Sequence, residues 1–248
     1  MNTLTFGHIL VVNSLLIITL NGLFYWQSFK DFFAQPQNAL PIGLAIYATQ
    51  AVITYFLLGA QKPWLTAPFK GKFIIQGLGS MILVYGLTIG LISIFATHNQ
   101  PVDLPGKVLS FLPVFILNSL PGALIEEWLF RYLPFRFGQQ WPTRYRSIIF
   151  CIGVLLLSTL LHIPAYIFQY EVDLTELSNV FVHGLFFLTV YLLTQNLVFT
   201  ALFHGLTNKS LLLVESPSYW LYFYSITLLV SVVWAVINWR RRRNSTTV

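Results

Sequence analysis

The sequence predicts an all-α, polytopic membrane protein, a bundle of about eight transmembrane helices with a buried polar site. Three observations predict it. The 248 residues are 56% hydrophobic and only 9% charged, against about 25% charged in soluble domains. Mean hydropathy is +0.71, and apolar runs of about 20 residues, enough to span a bilayer as helix, recur along the whole length. Two of only eight acidic residues, Glu126 and Glu127, are adjacent near the end of one such run. An ionisable pair at membrane depth costs several kcal/mol unless it is paired or faces a polar cavity.

The spans fall near residues 7–26, 40–60, 73–96, 108–134, 147–168, 177–194, 196–214 and 218–238. One membrane-embedded domain, 1–248, is the natural size for such a bundle. The N-terminus lacks a basic leader and a small-residue cleavage site before Trp26, so the first run reads as a retained span. The sixth and seventh runs are separated by almost nothing around Thr194–Asn196, which fits either a tight helical hairpin or one bent helix. Tyr25, Trp26, Trp64, Trp141, Tyr219, Trp220 and Trp239 mark span ends, where amphipathic rings suit the headgroup level. The single cysteine, Cys151, lies inside an apolar run and cannot form an intrachain disulfide.

Charge placement orients the bundle. With the N-terminus inside, the cytoplasmic segments hold Lys62, Lys70 and Lys72, then Arg131, Arg136, Arg144 and Arg146, and finally Arg240, Arg241, Arg242 and Arg243. Only Lys30, Lys107 and Lys209 fall on the other side. This bias predicts an integral multi-pass protein with both termini cytoplasmic. It also accounts for the net charge of +6 without a nucleic-acid partner. A bacterial plasma membrane is the expected location.

On a helix, residues four apart share a face and adjacent residues point about 100° apart. Arg131 should therefore pair with Glu127 and leave Glu126 on a different face, free to meet water or a substrate. A carboxylate so placed suits a general base. The competing reading is a buried structural ion pair near a helix end. Upstream, Pro121 and Gly122 should kink the span, because proline removes the donor for the Leu117 carbonyl.

His204 and Asn208, four apart in the seventh span, lie on one face, and His162 stands two residues before Pro164 in the fifth. A lone membrane histidine often only bonds a neighbouring backbone. Two of them on separate spans, with a glutamate pair on a third, point to chemistry. His183 reads as a packing or hydrogen-bonding residue, and His8 and His98 as interfacial. At 1.5 Å per residue, Glu126 and His204 come out about 12 and 13 Å from the cytoplasmic ends of their spans. His162 comes out nearer ~20 Å, a mismatch requiring a tilted fifth helix or one whose first turns project from the bilayer.

The motifs "EEWLFR" (126–131), "STLLH" (158–162) and "HGLTN" (204–208) together resemble the CAAX protease and bacteriocin-processing intramembrane proteases, relatives of the prenyl-protein endopeptidase Rce1. That family's pattern is EExxxR, FxxxH and HxxxN on separate helices. The resemblance covers about 110–210, the motif-bearing core, and Ser158 stands where the family usually has phenylalanine. It implies an intramembrane glutamic-type endopeptidase. Glu126 would be the general base, with His162 helping to orient the attacking water. His204 and Asn208 would stabilise the oxyanion, and Glu127 with Arg131 would hold the geometry. It implies no cofactor, and a membrane-associated protein or peptide as substrate. Zinc on two histidines and a glutamate is the competing chemistry, although His-Glu-x-x-His is absent. A non-catalytic scaffold or immunity-type protein of the same fold is the alternative function. A proton or cation transporter would be expected to show paired broken helices or an inverted repeat, and neither is apparent.

Overall fold

The computed structural model describes residues 3–95, 100–101, 104–140, 144–170, 172–212 and 214–245. Trp141 and His98, read above as interfacial, lie outside them. Twelve α-helices run in order among the described residues: α1 Thr3–Gly22, α2 Gln27–Phe33, α3 Pro36–Leu57, α4 Pro63–Thr66, α5 Gly71–Phe95, α6 Leu104–Val114, α7 Leu120–Glu127, α8 Leu133–Gly138, α9 Arg144–Leu160, α10 Leu177–Thr194, α11 Leu197–Asn208 and α12 Tyr219–Ser245. Two-residue strands, β1 Gln100–Pro101 and β2 Val214–Glu215, pair antiparallel.

Seven helical runs are long and apolar enough to cross a membrane, including Pro105–Gly138, Tyr145–Tyr170 and Leu177–Thr194. The protein is a multi-pass membrane protein. Large side chains such as Ile75, Ile82 and Ile94 are each 72% exposed along α5, as a lipid-facing stripe requires. The chain divides into two compact units, Met1–Ala67 with Pro121–Leu188, and Pro68–Leu120 with Thr189–Val248.

In the first unit, α1 and α3 are tied by the buried Asn13 amide, which donates to Thr54 Oγ1 at 3.0 Å and to its own Ile9 carbonyl at 2.9 Å. Such interhelical bonds are the polar glue of bundles that lack a hydrophobic driving force between helices. Helices α8 and α9 approach closely where Gly138 meets Ser147. A β-carbon at 138 would lie 3.0 Å from Ser147 Cβ, and the serine hydroxyl donates to the Gly138 carbonyl at 2.5 Å. Phe137 closes this corner against Phe6 and Trp64, with centroids 4.8 and 5.0 Å away.

Two π-helical turns interrupt the fourth run, Phe115–Ser119 and Trp128–Tyr132. In both, the residue just before a proline donates to the carbonyl five residues back: Leu120 to Phe115 before Pro121, and Leu133 to Trp128 before Pro134. A proline ring cannot donate and crowds the preceding turn, so the helix widens there and its carbonyls find donors one residue further on. The kink expected at Pro121 takes this form.

In the second unit, α5 is the post on which α11 and α12 pack. The run expected as the seventh span is helical only over the 12 residues of α11, about 18 Å against a hydrocarbon core of about 30 Å. Asn196, at the start of α11, donates its side-chain amide to the Phe73 carbonyl at the beginning of α5, at 2.9 Å. Val198 and Phe199 lie on Gly77, within 3.0 Å of where its β-carbon would be. Further along, the Tyr85 hydroxyl donates to the Leu211 carbonyl at 3.5 Å. Then Val214–Glu215 pairs with Gln100–Pro101, beyond the far end of α5. From Asn196 to Leu211 the chain thus runs alongside α5, as helix up to Asn208. Irregular backbone at membrane depth is tolerated only where protein or a water-lined cavity satisfies it, as Tyr85 does for Leu211.

Gln195 at φ 52° breaks the chain between α10 and α11, and the Asn196 side chain caps α11 by accepting from Phe199 N–H at 2.9 Å. Asn196→Ala loses both the cap and the bond to α5. We expect it to lower unfolding stability by about 1–2 kcal/mol, read as a lower Tm in detergent. Tyr219 stands at a span end, as expected, at the start of α12. It is 1% exposed and stacks on Phe223, which also carries Tyr85 and Phe203 at 5.4 and 5.1 Å. Tyr25, Trp26 and Trp239 are exposed, as expected of ring anchors.

Candidate active site

In the first unit the carboxylate pair divides as helix geometry requires. Arg131 Nη1 lies 3.3 Å from Glu127 Oε1, both side chains buried. Glu126, on another face, is half-buried. A buried ion pair needs further support to offset its desolvation, and the surroundings of Arg131 supply some. Its guanidinium stands 5.9 Å from the Phe187 ring, within cation–π range. It also fills the space over Gly184, where a β-carbon would lie 3.1 Å from Nη2 and overlap Leu155 Cδ1. A β-carbon there would oblige the tip of Leu155 and the Arg131 guanidinium to shift. His183, exposed, stacks on Phe187 with centroids 6.4 Å apart, the packing role expected of it.

Gly184→Ala should therefore push Arg131 off Glu127, lowering stability by about 1–3 kcal/mol as overpacking does. Gly153→Ala is the control, since nothing lies within 4 Å of its β-carbon position. Thermal unfolding of both variants checks this: Gly153→Ala should melt at or above wild type.

His162 sits at a break. Helix α9 ends at Leu160, and a π-helical turn, Ala165–Tyr170, begins just after Pro164. The His162 N–H, which in a continuous helix would serve the Ser158 carbonyl, turns to Thr159 O at 3.1 Å. The Ser158 carbonyl is taken up instead by the His162 ring, Nδ1 at 2.8 Å. A carbonyl only accepts, so Nδ1 carries the hydrogen and Nε2 of the neutral ring keeps its lone pair as an acceptor. That is the tautomer a water-orienting or proton-accepting imidazole needs.

The depth mismatch between Glu126 and His162 narrows once the register of the two helices is known. The fourth run extends to Gly138, and Ser147 is level with it. Measured from that contact at 1.5 Å per residue, Glu126 is about 18 Å and His162 about 23 Å along their antiparallel helices. They stand within roughly one turn of each other in height.

Two residues without any sequence motif also join Glu126. Tyr47 from α3 and Tyr170 from the π turn are both close enough to feel its charge. The Tyr47 hydroxyl occupies the space above Gly122, 2.9 Å from where a β-carbon would be. Tyr170 is 56% exposed. No motif could have flagged Tyr47, which lies 75 residues upstream of Gly122.

In the second unit, His204 is 6% exposed, on a helix buried from Leu197 to Leu206. Asn208 is the last residue of α11 and is exposed. Gly205 lets α11 approach the π turn at Phe115–Ser119: a β-carbon would lie 3.2 Å from Phe115 and 3.5 Å from the Ser119 carbonyl. Among the described residues, no group of three His, Cys, Asp or Glu side chains is spaced to hold a metal ion.

Fold and site define a multi-pass helical membrane protein with a carboxylate set apart beside a buried ion pair. Residues 108–210 match the family model described as type II CAAX prenyl endopeptidase Rce1-like, so that stretch of the chain is similar to this family. The match includes all six residues of the three motifs. No curated protein and no solved structure matches the chain.

Proposed function

We propose that this chain is an intramembrane endopeptidase that hydrolyses a peptide bond with a glutamate-activated water and without a resident metal. The observation that carries the reading is the split between neighbours: Glu127 is committed to Arg131 at 3.3 Å, and Glu126 is not buried with it. In this reading Glu126 takes a proton from water as the oxygen attacks the peptide carbonyl. His162, through Nε2, orients that water and relays the proton to the leaving amine. His204 and Asn208 donate to the developing oxyanion, the contribution that often lowers such a barrier most. The step balances: water supplies one hydrogen to the leaving amine, which keeps the C–N electron pair, and its remaining hydroxyl to the new carboxyl.

The substrate is a membrane-associated protein or peptide, and the Rce1-like match supports prenylated C-terminal motifs as the first class to try. The Lys and Arg distribution supports a reading in which both termini face the cytoplasm, and a bacterial plasma membrane is the location proposed. Membrane proteomics of cells carrying wild type or Glu126→Gln tests the function. Precursors that accumulate only in the variant identify the substrates. An unchanged membrane proteome, with the cell phenotype preserved, would support the non-catalytic scaffold instead. Metal analysis of the purified protein, with activity measured in chelator, tests the metal-free chemistry.

A further inference from the structure

Helical side chains tilt toward the N-terminus, so a residue covers the surface over the turn before its own Cα. Glu126 lies in the continuous helix α7, and the turn it covers begins at Gly122. That position has no side chain, and the Tyr47 hydroxyl fills the gap. Gly122 and Glu126, four apart, share one helix face about 6 Å apart in height. A phenol held over the first therefore lies where the carboxylate of the second reaches. Tyr47 is half-buried, and its ring lies 3.1 Å from the same β-carbon position, so the end of the phenol rests against the Gly122 backbone.

We propose that Tyr47 is a positioning residue for Glu126, its hydroxyl donating a hydrogen bond to the carboxylate from the space that Gly122 leaves open. A charge-assisted O–H···O⁻ bond fixes the carboxylate rotamer and keeps one oxygen occupied, leaving the other to water. The role this gives Tyr47 in turnover rests on the peptidase reading; the hydrogen bond itself does not.

The test uses the full chain in nanodiscs. Infrared difference spectroscopy locates the Glu126 carboxylate stretch as the band lost in Glu126→Gln. Tyr47→Phe removes the hydroxyl, and Gly122→Ala displaces it while leaving the tyrosine in place. Both should shift that band. Cleavage of a quenched-fluorescence farnesylated CAAX peptide should lose about 10–100-fold in kcat with KM within about twofold, a split that general loosening of the fold would not produce. An unmoved band in Tyr47→Phe overturns the proposal. A shifted band in a protein whose wild type cleaves no substrate keeps the tyrosine–glutamate bond and removes the peptidase reading.

Discussion

Glu126→Gln is expected to remove proteolysis while the protein still folds and inserts. The amide keeps the size and shape of the side chain but can no longer accept a proton from water, so the effect falls on chemistry. Loss of a general base typically costs about 10²–10⁴-fold in rate, or about 3–5 kcal/mol in the barrier. With the peptide bond as slow as it is without catalysis, the variant should read as inactive in any ordinary assay. Binding should survive. A substrate that the wild type cleaves should co-purify with Glu126→Gln, as expected of an interaction made mainly in the transition state.

The second large effect belongs to the adjacent residue and is of a different kind. Glu127 is 0% exposed and holds a guanidinium that is itself buried. Glu127→Gln leaves the Arg131 charge in a low-dielectric interior without its counter-ion. Breaking one side of a buried pair costs about 3–5 kcal/mol, so this variant should melt far below wild type and express poorly. Arg131→Met removes the other partner and should cost a similar amount. The double change Glu127→Gln with Arg131→Met should recover part of the loss, because neither charge is then stranded. Its measured Tm should lie above that of either single variant.

How far the sequence reaches into this structure depends on the range of each interaction. The Glu127–Arg131 pair is legible because helix geometry alone brings residues four apart together. The seventh apolar run is legible in the sequence, but its conformation is not. Leu211 and Leu212 keep hydropathy high past Asn208, whereas the helix stops at Asn208. The height of His162 was unreadable for a related reason: it depends on the Gly138–Ser147 contact, which sets the register of two helices across a loop. Tyr47 and Gly184 acquire their roles only through contacts with distant segments. Glycine was visible at 122 as a kink partner for Pro121, but its use as a space for a phenol from α3 needed coordinates.

The account rests on two neighbouring glutamates having separate jobs, one reacting and one holding an arginine. Purified Glu126→Gln and Glu127→Gln, compared side by side for Tm and for single-turnover cleavage, test this most directly. The expected result is crossed: Glu126→Gln melts like wild type and does not cleave, and Glu127→Gln melts far lower. Wild-type cleavage by a well-folded Glu126→Gln would contradict it.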